Sequence, residues 1–170
     1  MPNVLLFQNS SLYIDASRIG SSDVIGGMIV DLVSNYLIEK EGINPFVMFI
    51  DEAHRYTKSS NLENDYYTGL TSIAREGRKK GIFLFLTTQN PKDISDVLLG
   101  QVGTFLIHRL THSEEIRVIQ NHLDPNTIGQ IRMLNKGEAI LTSINLLQDI
   151  HLKVNKCSRV HGNEPPFIEQ

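Results

Sequence analysis

Two adjacent carboxylates, Asp51 and Glu52, stand at the end of an unbroken apolar run, Pro45-Phe46-Val47-Met48-Phe49-Ile50. A second run, Ile82-Phe83-Leu84-Phe85-Leu86-Thr87-Thr88, also ends on a polar group, Gln89. Carboxylates paired in this way suit a nucleoside-triphosphate site. The first acid would hold Mg²⁺ through its water shell, and the second would orient the water that attacks the γ-phosphate. A strand whose single terminal acid is merely solvated is commoner, but two acids in succession weigh against that reading. Arg75, Arg78, Lys79 and Lys80 form a cationic cluster. At the end of a helix such cations complement the dipole, which is by itself a sufficient reason for them. His108 and His112 have a metal-like spacing, but no third ligand lies near them in the sequence.

Groups like these work together only if the strands carrying them end on one edge. Both runs are short, rich in aromatic and β-branched residues, and preceded by Pro or Gly. They read as strands buried on both faces, as in parallel sheets, where ligands bind at the carboxyl ends. Between Ser21-Ser22-Asp23, which offer N-cap oxygens, and Lys40, apolar residues recur at helical spacing from Val24 and Ile25 through Met28, Ile29, Leu32 and Val33 to Tyr36 and Leu37. The alternation over residues 11–16 predicts a strand before that helix, which completes a right-handed βαβ unit. A second helix is predicted from about Leu62 to Lys80, with Tyr66, Leu70, Ile73 and Ala74 inward.

Further along, Asp93 is expected to cap a short helix to Leu99, and residues 103–108 read as a strand. Helices follow over 113–123 and, after the Asp124-Pro125 start signal, to Leu134. Residues 138–143 and 150–154 are two closing strands of antiparallel character. The fold class is therefore α/β. A length of 170 residues predicts one domain, and a net charge of −3 argues against whole-surface binding to nucleic acid while leaving room for a local basic patch. The single Cys157, the lack of zinc spacing, of a signal peptide and of an apolar run near ~20 residues together predict a soluble cytoplasmic protein.

Four ordered blocks resemble a known family. They are Phe49-Ile50-Asp51-Glu52-Ala53-His54-Arg55-Tyr56, Ile73 to Gly81, Thr87-Thr88-Gln89-Asn90-Pro91, and His108-Arg109-Leu110 with Leu134-Asn135-Lys136-Gly137-Glu138-Ala139. Together they look like the HerA-type branch of the HerA/FtsK ring ATPases, with the likeness running from about Leu12 to Ser143. The resemblance implies a RecA-like three-layer sandwich with a mostly parallel sheet and C-terminal antiparallel strands. It also implies a hexameric motor that hydrolyses ATP with Mg²⁺ to move double-stranded DNA, often beside a nuclease. By position, Asp51 resembles the Walker B acid at Mg²⁺, Glu52 the glutamate that activates water, and Gln89 the polar sensor near the γ-phosphate. Arg75 and Arg78 resemble arginines that reach a neighbouring subunit's nucleotide.

The phosphate-binding loop of that family is absent. None of the twelve glycines is followed by Lys, so no Gly-x-x-x-x-Gly-Lys-Ser/Thr cradle exists in the chain. Residues 1–158 are thus expected to be the C-terminal part of a motor core, and 159–170 a tail that orders only on a partner. In the family's strand order the missing strand lies between 82–88 and 104–109. Those strands are expected either to pair directly or to take a strand from a second copy in a swapped dimer. ATP turnover is not expected of the chain alone. Two alternatives stand beside this reading: a non-catalytic assembly module derived from such an ATPase, and part of a type IV secretion or conjugation ATPase.

Overall fold

The computed structural model describes residues 11–14, 23–57 and 68–158. They fall into two compact units that meet in the sequence at Gly103 and Thr104.

The first unit contains helix α1 (Asp23–Glu39), strand β1 (Phe46–Ile50), helix α2 (Gly69–Glu76), strand β2 (Ile82–Leu86) and the short helix α3 (Asp96–Leu99). Strands β1 and β2 pair in parallel, with Phe46 opposite Ile82 and Ile50 opposite Leu86. Thr68 caps α2 by accepting the Thr71 N–H, and a 3₁₀ turn, Gly77–Lys80, carries the chain from α2 to Gly81. There φ is +78°, which glycine adopts without a Cβ clash. One face of the sheet packs on the helices through Leu37, Ile73 and Ile82, joined by Val33, Phe46, Met48 and Leu84.

Several expectations change here. The strands are not buried on both faces: Val47, Phe49, Phe83 and Phe85 form an exposed face, because the described helices pack on the other. Helix α1 does not bury its most apolar stripe either. Ile25, Met28, Leu32 and Tyr36 are exposed, while Gly26 and Ser34 are buried. Small residues choose the packing side, since the Tyr56 ring sits against Gly26, and the start of α2 at Gly69 sits against Asp31 and Ser34.

Residues 11–14 are exposed and form no strand, so among the described residues the βαβ unit lacks its first strand; residues 15 and 16 lie outside that set. Helix α2 is capped at Thr68 and starts at Gly69; residues 62–67 of the expected helix, Tyr66 included, lie outside the described residues. Ser95, not Asp93, caps α3, because its hydroxyl sits where it can accept the Leu98 N–H.

The second unit is antiparallel throughout. Strand β3 (Thr104–Ile107) pairs with β4 (Glu138–Ser143), and β4 with β5 (Ile150–Lys153). Between β3 and β4 lie helices α4 (Ser113–Ile119) and α5 (Pro125–Ile131), the latter capped by Asp124, whose side chain accepts the Asn126 N–H. Both helices are shorter than expected: α4 passes into a 3₁₀ turn at Gln120–His122, and α5 ends at Ile131. Ile107, Ile119, Leu123, Ile131, Leu134 and Ile140 make a contiguous core. Among the described residues β2 is paired with β1, and β3 with β4. The chain is α/β, with one parallel and one antiparallel sheet, as expected.

Candidate functional site

The parallel pair continues past its last strand residues, and that continuation builds the site. The Thr87 N–H donates to the Ile50 carbonyl at 3.0 Å, and the Thr87 carbonyl accepts the Ala53 N–H at 2.8 Å. The Thr87 hydroxyl accepts the Glu52 N–H at 3.1 Å and donates to Asp51 Oδ1. One threonine thus fixes the backbone at Ile50, Glu52 and Ala53 and the carboxylate of Asp51.

Glu52 has φ 51° and ψ 49°, the one positive φ outside glycine among the described residues. A left-handed side-chain-bearing residue costs on the order of 1–3 kcal/mol and persists only where its surroundings hold it, commonly at functional sites. Here the chain turns through the 3₁₀ segment Ala53–Arg55, anchored by the fully buried Ala53, so that Glu52 projects back over the strand ends. Gln89 Nε2 donates to Glu52 Oε1. His54 Nδ1 lies 3.2 Å from Glu52 Oε2 and 3.0 Å from Thr88 Oγ1.

Asp51, Glu52 and Gln89 therefore come together, at the carboxyl ends of adjacent parallel strands. Asp51 and Gln89 are exposed, and Glu52 is half-buried with its Oε2 shut off from solvent. Asp51 is tethered through one oxygen by Thr87 and suits outer-sphere Mg²⁺ binding, in which water and phosphate supply most of the coordination. No group of three or more His, Cys, Asp or Glu among the described residues forms an all-protein metal cage.

Arg75 and Arg78 are not part of this cluster by connectivity. Arg75 lies in the last turn of α2, and Arg78 in the 3₁₀ turn that leads into the start of β2, whereas Gln89 follows its end. A five-residue strand spans about 16 Å. Both arginines are exposed. His108 Nδ1 is 3.0 Å from the Glu138 carbonyl, and His112 precedes α4. Thr87, Thr88 and His54 received no role from the sequence, although all three stand inside the quoted blocks; hydroxyls directly after a strand are the signal that points to Thr87 and Thr88.

A family model described as "Helicase HerA-like C-terminal" matches residues 39–145. The chain is 27% identical over 167 residues to the DNA double-strand break repair helicase HerA of Sulfurisphaera tokodaii, covering 95% of this chain and 33% of that protein. It spans between a quarter and a third of the length of such relatives. In fold it is similar to the genome packaging NTPase B204 of Sulfolobus turreted icosahedral virus 2, solved with ATP-gammaS. The TM-score is 0.60 at 15% identity, covering 86% of this chain and 74% of that one. It is also similar to VirB4 of Thermoanaerobacter pseudethanolicus, with a TM-score of 0.61 at 16% identity, covering 79% of this chain and 37% of that one.

Proposed function

The chain belongs to the helicase HerA-like C-terminal family, and from that premise we propose that it supplies the water-activating half of an ATP-driven DNA motor. The observation that carries this reading is the Gln89 to Glu52 hydrogen bond, made beside a Thr87-tethered Asp51 at the ends of two parallel strands. Bound Mg²⁺ would neutralise charge on the β- and γ-phosphates of ATP. Asp51 faces the solvent side of the strand ends and would hold the ion's water shell. Glu52 would orient the attacking water and take its proton, and Gln89 would position the γ-phosphate side of that water. Arg75 and Arg78, a strand length from the carboxylates by connectivity, suit a neighbouring subunit's nucleotide better than their own.

The phosphate cradle has to come from a loop that this sequence does not contain. The working protein in this reading is a homo-oligomeric ring in the cytoplasm acting on double-stranded DNA, with a nuclease as a plausible companion. No helix among the described residues is long and apolar enough to cross a membrane.

The reading is tested by joining the chain in frame to the phosphate-loop half of the Sulfurisphaera tokodaii relative and measuring ATP turnover. The chain alone is expected to stay at background. The joined protein should turn over ATP, and Glu52→Gln should lower the rate about 100-fold or more while nucleotide still binds. Unchanged turnover in that variant would remove Glu52 from the chemistry. A second reading is a non-catalytic ring-assembly module, and the joined protein's failure to hydrolyse ATP while still forming rings would select it.

A further inference from the structure

The two carboxylate oxygens of Glu52 are held differently. Oε1 accepts from Gln89, whose side chain is exposed and able to swing away. Oε2 is shut off from solvent and makes no hydrogen bond of ordinary geometry. An anionic oxygen buried without a donor is costly, so the group beside it matters. That group is His54 Nδ1, 3.2 Å away, on a ring whose side chain is only 16% exposed. The same nitrogen is 3.0 Å from Thr88 Oγ1, which in turn accepts the Asn90 N–H at 3.0 Å.

A neutral imidazole has two tautomers, and the neighbours decide between them. With the proton on Nε2, Nδ1 turns a lone pair toward the anionic Oε2. The Thr88 hydroxyl proton then satisfies Nδ1, and Oε2 receives nothing. With the proton on Nδ1, the N–H can donate to Thr88 Oγ1, and the anionic Oε2, 3.2 Å from Nδ1, meets the positive end of that bond instead of a lone pair. The backbone that carries both side chains is fixed, because Arg55 N–H closes the turn on the Glu52 carbonyl at 2.9 Å and the intervening residue Ala53 is fully buried.

We propose that His54 is a positioning residue for Glu52, carrying its proton on Nδ1 and bracing Oε2 while Gln89 holds Oε1. The two braces have different fates. Gln89 is free to exchange its bond for one to water or phosphate, whereas the buried His54 contact persists and keeps the carboxylate from rotating. This rests on the reading of Glu52 as the group that activates water.

The test is the tautomer of His54 in the chain with ¹⁵N-labelled histidine, read from two-bond ¹H–¹⁵N correlations at mildly alkaline pH and assigned by its loss in His54→Asn. The Nδ1–H form is expected in the wild-type chain. In Glu52→Gln the amide can itself donate to Nδ1, and the signal should move to the Nε2–H form. An Nε2–H form in the wild-type chain, or an identical spectrum in Glu52→Gln, overturns the proposal. Should Glu52→Gln fail to fold, thermal midpoints decide. Asn at position 54 places its amide nitrogen near the Nδ1 site and should retain the wild-type midpoint, whereas Gln places it near Nε2 and should lower it. Equal midpoints for the two variants count against the brace. The spectra need no nucleotide, so the two readings fail separately. An Nδ1–H tautomer without turnover in the joined protein removes the motor reading, and an Nε2–H tautomer with turnover removes only the brace.

Discussion

The two units of this chain contrast in how they complete themselves. In the unit that begins at Thr104, three antiparallel strands and two helices enclose one contiguous aliphatic core. In the unit that ends at Gly103, two parallel strands cover one face with helices and leave Val47, Phe49, Phe83 and Phe85 exposed on the other. The catalytic candidates are all in the less complete unit. Parallel strands need crossover helices, and polar ends on neighbouring strands arise only from that arrangement, so the unit able to build the site is also the one that depends most on further covering.

The sharpest way to break this contrast is to cut into each side. Ile131 is fully buried, and Ile131→Ala should cost about 2–5 kcal/mol in urea unfolding. Phe85 is 57% exposed, and Phe85→Ala should stay within about 1 kcal/mol. Comparable losses would mean that the open face is covered in solution.

Glycines sharpen the contrast next. A Cβ at Gly69 would lie 2.5 Å from the Asp31 carbonyl oxygen and 2.8 Å from Ser34 Cβ, so Gly69→Ala should force α1 and α2 apart at a cost of about 1–3 kcal/mol. A Cβ at Gly129 in α5 meets nothing within 4 Å, and Gly129→Ala should instead stabilise by about 0.5–1 kcal/mol. A shift of the same sign at both positions would contradict the tight α1–α2 approach.

The smallest effect concerns acid. Partial burial pushes the Asp149 carboxyl upward. Hydrogen bonds from the Thr142 hydroxyl (shared with the His122 carbonyl), the Asp124 backbone N–H and the Thr127 hydroxyl outweigh it and hold the group below the usual carboxylate range. A depressed folded-state value contributes stability that is present above the unfolded pKa and lost as pH falls through the folded one. Urea midpoints for the wild-type chain should therefore fall as pH drops below about 4, and Asp149→Asn should flatten part of that fall. An unaltered slope in the variant would show that other carboxylates carry it.

Much of the fold was legible because its signals are local. The strand cores at 46–50, 82–86 and 138–143 follow from short apolar or alternating runs between turn residues, and the start of α5 follows from Asp124-Pro125. The α1 packing side was only partly legible. Of the apolar stripe, Val33 and Leu37 do pack on the core, but Ile25, Met28, Leu32 and Tyr36 stay exposed because the close approaches at Gly26 and Ser34 turn the helix. A missing side chain leaves no hydrophobic signal, so periodicity cannot register it.

At the site, the sequence alone determined the polar groups at the ends of the two strands, two acids on one and the Gln89 amide on the other, while the structure ends the second strand at Leu86 and so leaves Thr87 and Thr88 beyond it. Only the tertiary structure decided that Thr87 ties both backbones together, that Glu52 turns left-handed, and that its two oxygens face Gln89 and His54. The physical reason is range. Strand ends are set by neighbours a few residues away, whereas these hydrogen bonds join groups 35 and 37 positions apart, brought together only when parallel pairing fixes the register.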